Sequence, residues 1–410
     1  MPAFNLGLVP HLTHFEPSRA AGMARLAVVN AASYAHSRNA LDGAVTGLSP
    51  YFTHGIMGLP EAARALHQRQ PLSFDDKLVF EFGWREFFHH VWSHAADGGD
   101  AILKDMHDGL PWPGRYAETV LADIREARSG VPAVDNAVRT LYATGYLHNH
   151  ARMWLASYMV HMRKVHWRAG ADWLYGHLLD GDLPSNHLSW QWVAGTFSGK
   201  PYLFNADNVD RYAPAAAQSP WASHGTVIDA SYEALAEIAS ARGDVGPEPG
   251  LHNGITEPPV TGTINASFMP PSQAIVEILA IDKVANRDLE LVHPWNLAPR
   301  SSQAFRLGVI HLPAHTAWPW SHRRWQFVLA AMAEVSDAIW AGDLTLLDTA
   351  GATRVTAQAC LFPGYRQALP RLAALTQAPR LLPDPVMACR SFTKFYQRVR
   401  RDTDQFSDLL

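Results

Sequence analysis

The chain has 410 residues, enough for more than one hydrophobic core, and 48% of them are hydrophobic while 18% are charged. This composition excludes a disordered chain or a collagen, and two cysteines are too few for an all-thiolate zinc or iron–sulfur site. A formal net charge of −4 provides no global cationic field that would indicate nucleic acid or a membrane. The 14 tryptophans exceed what a core requires.

The first residues, MPAFNLGLVPHL, lack the cationic and apolar regions of a signal peptide, and no apolar run is long enough for a transmembrane helix. We therefore expect a cytoplasmic protein that does not span a membrane. The first half has helical periodicity broken by Gly and Pro. It predicts helices over residues 17–40, 59–69, 75–94, 115–128, 132–143, 147–167 and 170–179.

The amino-acid composition changes at residues 243–263, where four prolines and five glycines occur without periodicity. Beyond this linker, apolar runs and a helical stretch alternate, which predicts a smaller α/β domain. The predicted strands are Leu289–Val292, Leu307–His311 and Leu344–Asp348, and the predicted helix is Arg324–Ile339. The predicted domains are residues 1–242, helical, and 264–410, α/β, joined by the linker.

No Asp or Glu occurs between Asn136 and Ala171, a stretch that contains five cations. These cations are Arg139, Arg152, Arg163, Lys164 and Arg168. They could form a cradle for the phosphates of a cofactor or a nucleic acid. The simpler interpretation is a solvated helix face.

Two further segments combine aromatic and polar groups. Residues 81–88, EFGWREFF, place Glu81, Trp84 and Arg85 on one helical face, where they could recognise a flat polar heterocycle. The simpler interpretation is an intrahelical Glu81–Arg85 pair. Residues 180–192, DGDLPSNHLSWQW, combine loop acceptors with two tryptophans that point in different directions on a helix. A capped turn before an aromatic core helix is the simpler interpretation there.

Together these segments resemble the FAD-binding helical domain of the DNA photolyase/cryptochrome family. The family's W-R-E-F signature stands at residues 84–87, and its H-N-R-x-R-M segment stands as HNHARM at 148–153. The D-G-D-x-x-x-N…W-Q-W pattern stands at 180–192. The flavin-phosphate segment T-S-x-L-S-P-Y stands as TGLSPY at 46–51, and Tyr34 matches a tyrosine before it.

The resemblance, which covers about residues 20–212, implies that this part of the chain binds FAD. It implies phosphate contacts near a helix start, an Arg152–Asp180 pair beside the flavin ring, and Asn186 near flavin N5. The implied cofactor-binding residues are Tyr34, Thr46, Leu48, Ser49, Trp84, Arg85, Arg152, Asp180, Asp182 and Asn186.

The resemblance also implies an electron chain. Trp190 and Trp167 match the proximal and middle tryptophans through which excited flavin is reduced in this family. The third member is not clearly matched, and Trp112 and Tyr116 lie in the corresponding region. An interrupted chain would slow photoreduction.

A pocket for a flipped cyclobutane pyrimidine dimer is implied as well. Its residues would be Glu81, Trp84, Asn149, His150, Met153 and Trp192. Asn149 stands where the (6-4) branch of the family has histidine, which favours the cyclobutane type. His150 replaces the usual arginine, which removes a permanent cation and introduces a titratable donor. Trp190, Trp167, Glu81 and Asn149 are the expected catalytic residues.

The main hypothesis is therefore a light-driven, FAD-dependent lyase that repairs pyrimidine dimers in DNA, with single strands as one candidate substrate. The alternative is a cryptochrome-like photoreceptor that acts on a signalling partner, and a thermal flavoenzyme is the least favoured interpretation. The family's antenna domain normally comes first, so residues 264–410 are interpreted as a rearranged antenna-like domain with no identified chromophore. His89, His90 and His94 are assigned to the pocket or surface, and no metal is expected.

Overall fold

The computed structural model describes residues 10–95, 106, 116–197, 199–214, 219–241 and 284–410. In chain order, the α-helices are α1 (Arg19–Val28), α2 (Ala31–Ser37), α3 (Ser49–Thr53), α4 (Leu59–Arg69), α5 (Lys77–Ser93), α6 (Ala122–Arg125), α7 (Pro132–Thr144), α8 (Asn149–Ser157), α9 (Trp167–His177), α10 (Leu183–Ala194), α11 (Ala206–Tyr212), α12 (Tyr232–Ser240), α13 (Leu312–Ala317), α14 (His322–Val335), α15 (Tyr365–Leu372) and α16 (Phe392–Arg401). The strands are β1 (Asp288–Val292), β2 (Phe305–His311), β3 (Ala338–Gly342), β4 (Arg354–Gln358) and β5 (Ala374–Thr376).

The chain divides into two units that do not coincide with the predicted domains. The first unit is Met1–His14, Ser37–Val45 and Ile102–Ala266, and the second is Phe15–His36, Thr46–Ala101 and Ser267–Leu410. Much of the predicted domain 1–242 is therefore grouped with the C-terminal part. The predicted linker, residues 243–263, lies outside the described residues. The predicted order of a helical part followed by a smaller α/β part is confirmed.

The first unit is built around α7 to α10. Helix α7 starts at Pro132 and ends where Gly145 adopts a left-handed φ of +70°. The carboxylate of Asp182 caps α10 by accepting a hydrogen bond from the Ser185 backbone N–H at 3.1 Å. The core between these helices contains the fully buried Trp154 and Trp167.

The predicted helix over 147–167 is interrupted. Helix α8 ends at Ser157 and a π-helical turn follows over Tyr158–Met162. Lys164, with a φ of +52°, then breaks the helical path. Helix α9 restarts at Trp167, capped by the ring of His166, which accepts from the Arg168 backbone N–H at 3.1 Å. Trp167 therefore lies in the first turn of a separate helix.

The side chain of Lys164, at this break, contacts the end of α12. The ammonium of Lys164 is buried and donates to the carbonyls of Ile238, at 3.0 Å, and Ala239. These are among the last carbonyls of α12, where a cation compensates the helix dipole. Burial lowers the pKa of Lys164 to about 8.

The second unit contains a parallel sheet with the strand order β3-β2-β1-β4-β5. Two predicted strands are confirmed as β1 and β2, and β2 is buried along its length. The predicted strand Leu344–Asp348 is wrong. Asp343 caps a 3-10 turn over Leu344–Leu346 by accepting from the Thr345 backbone N–H at 2.9 Å, and Ala338–Gly342 pairs with β2 instead.

Helix α16 packs on α5 through aromatic rings. Phe392 and Tyr396 press on Gly83, where a Cβ would lie 3.0 Å from the Tyr396 ring. The indole of Trp84 stacks parallel to Phe392 with centroids 4.2 Å apart. No helix in the described ranges has the length and apolar character needed to cross a bilayer.

We expect Lys164→Met to flatten the pH dependence of folding stability between pH 8 and 10.5. The pKa of Lys164 is lowered from 10.5 to about 8 in the folded state, so the unfolded chain binds more protons in this window and stability rises with pH. The contribution of Lys164 alone to this rise is on the order of 3 kcal/mol. Urea unfolding at stepped pH measures it.

Lys394→Met, on the exposed face of α16, is the matched control and should keep the wild-type slope. An unchanged slope in Lys164→Met would contradict the assignment.

Candidate functional site

A partly buried ion pair links α8 to the turn before α10 in the first unit. One guanidinium nitrogen of Arg152, Nη2, lies 2.9 and 2.7 Å from the two carboxylate oxygens of Asp180. Nε of Arg152 donates to the Leu147 carbonyl at 2.8 Å, and the guanidinium lies 5.3 Å from the centroid of the Tyr146 ring. The Asp180 side chain is 4% exposed. The structure thus brings together two residues that sequence reasoning expected to pair.

Asn186 is held in one orientation on α10. Its side-chain amide nitrogen donates to the Ala171 carbonyl at 2.8 Å and lies 3.4 Å from Nδ1 of His187. Asp182, four residues earlier, is engaged as the helix cap. These contacts fix an amide and a carboxylate at the start of α10, next in sequence to Asp180.

Trp190 and Trp167 pack around the same stretch of α9. Trp167 is fully buried, and its indole nitrogen has no hydrogen-bond partner within the described part of the chain. Trp190 is 2% exposed and lies against Gly170, one turn beyond Trp167. A Cβ at Gly170 would lie 2.3 Å from Cζ3 of Trp190, so only glycine allows this approach.

A histidine–carboxylate pair beside Trp167 was missed by sequence reasoning. Nε2 of His187 lies 2.7 Å from Oδ1 of Asp172, and the ring stands edge-on to Trp167 with centroids 6.2 Å apart. His187 is 2% exposed, while the Asp172 side chain is 42% exposed. The pair joins two helices across 15 residues, a separation that no local spacing rule selects.

The predicted lesion residues of the first unit lie on accessible faces. Asn149 is exposed, and its amide nitrogen lies 3.4 Å from Sδ of the half-buried Met153, one turn along α8. Trp192 is 37% exposed, with the ring of Tyr202 at 5.7 Å. Trp190 and Trp192 therefore face in different directions, one to the core and one outward.

His150 packs against Tyr212, with ring centroids 4.3 Å apart. Burial, with a smaller contribution from the cation of Arg38, lowers the pKa of His150 to about 4. A neutral ring therefore occupies the place where the family has an arginine, so at neutral pH His150 supplies neither a cation nor an acidic proton.

The acid-free stretch does not present a face of unpaired cations. Arg152, Arg163 and Arg168 pair with Asp180, Asp123 and Asp172. Lys164 and Arg139 donate to backbone carbonyls. Of these pairs, Arg168–Asp172 is a partly exposed i,i+4 pair along α9, as expected for a solvated helix face.

In the second unit, Glu81, Trp84 and Arg85 lie on α5. Arg85 donates to the hydroxyl of Thr53 at 3.5 Å. Trp84 is half-buried, because Phe392 covers one face of its indole. Sequence reasoning did not place α16 there, since nothing local to either segment links residues more than 300 positions apart.

Three of the predicted phosphate-contacting residues, Thr46, Leu48 and Ser49, lie at a tight turn of the second unit. Gly47 adopts a left-handed φ of +61°, and the Leu48 backbone N–H donates to the Thr46 hydroxyl at 3.3 Å. Leu48 is fully buried, so only its backbone can serve a ligand. Ser49 begins α3, and Tyr34 lies half-buried on α2.

These donor sets suit the parts of FAD. In the first unit, a fixed carboxylate, guanidinium and amide match the hydrogen-bonding edge of a flavin ring. In the second, backbone N–H groups and hydroxyls at a tight turn match phosphate oxygens.

Histidines of α5 do not form a metal centre. Both ring nitrogens of the buried His90 are engaged: Nδ1 lies 2.6 Å from Asp384 Oδ1, and Nε2 accepts from the Cys389 backbone N–H at 2.8 Å. Among the described residues, no three His, Cys, Asp or Glu side chains gather closely enough to hold a metal.

Residues 78–240 match the family model of the FAD binding domain of DNA photolyase. The deoxyribodipyrimidine photo-lyase of Synechococcus sp. is 33% identical over 192 residues, covering 44% of this chain and 39% of the relative. That of Thermus thermophilus is 35% identical over 190 residues, covering 45% and 44%. The cryptochrome DASH of Ostreococcus tauri is 29% identical over 218 residues, covering 51% and 38%.

Among solved structures, the cryptochrome of Synechocystis sp. is similar, with 25% identity and a TM-score of 0.43 over 49% of this chain and 44% of that chain. The chain spans about two fifths of the length of the curated relatives named above. The family match confirms the predicted resemblance and the prediction of FAD as cofactor. It includes the residues from Glu81 to Trp192 and begins after Tyr34 and the turn at Thr46.

We expect Gly170→Ala to destabilise the protein by about 1–3 kcal/mol, because the added methyl group overlaps the Trp190 ring. Urea unfolding measures the loss, and the fluorescence of the displaced indole should shift. Gly58→Ala is the control, since its Cβ would meet its nearest atom at 3.8 Å and cost less than about 1 kcal/mol. Equal losses in the two variants would contradict the packing described.

We expect Asp180→Asn to weaken FAD binding by about tenfold or more, because the half-buried guanidinium of Arg152 loses its anionic partner and the pair no longer has a fixed orientation. Titration of apoprotein with FAD, followed by flavin fluorescence, measures the affinity. Asp207→Asn, an exposed carboxylate on α11, is the matched control. Affinity equal to the control would remove Asp180 from the cofactor site.

Proposed function

Because residues 78–240 match the family model of the FAD binding domain of DNA photolyase, we propose that the protein repairs cyclobutane pyrimidine dimers in DNA with blue light. The observation that carries the proposal is the difference in exposure between two tryptophans of α10. Trp190 is buried against α9, while Trp192, two residues later, remains 37% exposed beside Tyr202. The difference in exposure supports a role in electron transfer for Trp190 and a role in substrate contact for Trp192.

The lesion-side residues supply binding and orientation. The exposed amide of Asn149 can donate to and accept from the polar edge of a pyrimidine, while Trp192 can stack on its face. Met153 adds an adaptable apolar contact. For Glu81 and Trp84, which belong to the second unit, the proposed lesion contacts rest on the family resemblance alone. A flipped dinucleotide is the substrate form that such side chains can reach.

The cofactor-side residues keep the flavin environment fixed. Reduced FAD, when bound and excited by light, supplies the electron that opens the cyclobutane ring and recovers it afterwards. Arg152 holds the carboxylate of Asp180 in place, and the bond from Asn186 to Ala171 fixes the amide. Such preorganised dipoles need no rearrangement when charge moves.

Trp190 and Trp167 are proposed to return the cofactor to its reduced state. An electron would leave Trp190 first and be replaced from Trp167. The buried indole N–H of Trp167 has no acceptor within the described part of the chain, so the oxidised ring keeps its proton and its positive charge. The Asp172 carboxylate binds both His187 and Arg168, and the imidazole of His187 is the member of this cluster that contacts the Trp167 ring.

The proposal is tested by illuminating the purified protein, loaded with reduced FAD, together with an oligonucleotide that contains a thymine dimer. We expect light-dependent recovery of absorbance near 260 nm, and a loss of about tenfold in Trp192→Ala, because stacking on the lesion contributes about 1–3 kcal/mol per base. Tyr232→Ala, an aromatic residue of the first unit that is 46% exposed, is the control. No recovery by wild type in either single or double strands would overturn the proposal.

A photoreceptor role is the second candidate, favoured by His150. The neutral, packed imidazole removes the cation that the family places beside the lesion contacts. Photoreduction of the flavin without dimer repair, accompanied by a light-dependent change in oligomeric state on size-exclusion chromatography, would select this role.

We also propose that residues 264–410 are a rearranged antenna-like domain. The parallel order β3-β2-β1-β4-β5 supports this, because open sheets of this kind bind ligands at the carboxyl ends of the strands where the order reverses. That position follows β1 and β4, and Trp295 stacks there on Phe362 with centroids 4.3 Å apart. Aromatic side chains therefore lie at the carboxyl ends of β1 and β4.

A further inference from the structure

The segment 384–389 of the second unit presents two neighbouring apolar side chains to solvent. Val386 is 96% exposed and Met387 is 68% exposed. We call these two residues the apex. Single exposed apolar residues are common on protein surfaces, but adjacent ones at this level of exposure favour a contact with a partner.

The backbone that carries the apex is held from both sides. Asp384, before it, bonds to Nδ1 of the buried His90, and the Cys389 backbone N–H, after it, bonds to Nε2 of the same ring. Arg398 of α16 donates to the Met387 carbonyl at 3.0 Å. One fully buried imidazole thus anchors both ends of the loop. The backbone of the apex is therefore held in a conformation that exposes its side chains.

The surroundings of the apex are cationic. Residues 380–401 contain six cations and one carboxylate, Asp384. The cations are Arg380, Arg390, Lys394, Arg398, Arg400 and Arg401. Arg380 is paired with Glu86 and Asp384, and Arg400 and Arg401 are paired with Asp75 and Asp402. Arg390 and Lys394 are exposed and begin the stretch that follows the apex.

From this arrangement we infer that the apex and the start of α16 are a DNA-docking surface, with Arg390 and Lys394 on backbone phosphates and the apex as an apolar wedge against the bases. Cations that neutralise phosphates supply non-specific affinity. Apolar side chains that enter a base step are the means by which several proteins unstack DNA. The inference rests on the proposed function for the choice of DNA as the partner.

The docking surface is continuous with the helix that carries a proposed lesion residue. Phe392 of α16 stacks on Trp84, and His90, which closes the loop, follows Trp84 by six residues on α5. Six residues of α-helix span about 9 Å, and one base-pair step spans about 3.4 Å. A wedge anchored at His90 would act within a few steps of a base held at Trp84.

The test compares Val386→Ser/Met387→Ser and Arg390→Ala/Lys394→Ala with wild type in the dark. Fluorescence anisotropy measures binding to a duplex with one thymine dimer and to the undamaged duplex, at several salt concentrations. We expect the apex variant to lose about tenfold in affinity for the damaged duplex with an unchanged salt slope. The charge variant should lose affinity for both duplexes, and its slope should fall by about 0.9 for each contact removed.

Leu375→Ser on β5 and Arg371→Ala on α15, both exposed in the same unit, are the matched controls. Thermal melts verify that every variant is folded. Affinities of the two test variants equal to those of their controls would overturn the inference, even if wild type repairs dimers. Binding that depends on the apex in a protein without repair activity would support the surface and contradict the proposed function. Apex-dependent sedimentation with phosphatidylglycerol vesicles, with no effect on DNA, would assign the surface to membranes and overturn the inference.

Discussion

Helix α5 carries two ionisable side chains in a buried position, Glu86 and His90, and the architecture around it follows from the need to pair them. An unpaired carboxylate in such a place costs several kcal/mol. Arg380 pairs with Glu86 and the Leu381 backbone N–H donates to it, while Asp384 and the Cys389 backbone bind both nitrogens of His90. The segment that satisfies α5 leads directly into α16, and this places Phe392 on the indole of Trp84.

In the first unit, too, charged side chains are paired with partners from the same unit. Three of its cations make contacts within the unit: Arg152 binds Asp180, Arg163 binds Asp123, and Lys164 binds the end of α12. This leaves polar groups in fixed orientations next to buried indoles, a combination suited to moving electrons rather than protons. In the second unit, by contrast, Arg390 and Lys394 are exposed.

Sequence reasoning could identify the family, the cofactor and most helices, because local motifs and periodicity carry that information. It joined α8 and α9 into one helix because the spacing of apolar residues continues past Ser157 and does not reveal the π-helical turn over Tyr158–Met162. It assigned a strand to Leu344–Asp348 because apolar runs do not reveal that Asp343 caps a turn. The pair His187–Asp172 and the cover of Phe392 on Trp84 depend on packing between distant segments, which no local pattern encodes.

The pairing of Glu86 with the Arg380 segment joins residues 294 positions apart, and this has a consequence for biosynthesis. A ribosome adds about 5–20 residues each second, so α5 is complete well over ten seconds before its partners emerge. Throughout that interval the carboxylate of Glu86 and the imidazole of His90 lack the partners that they bind in the folded protein. The nascent chain must therefore postpone the burial of α5, and the second unit can become cooperative only when its final segments arrive.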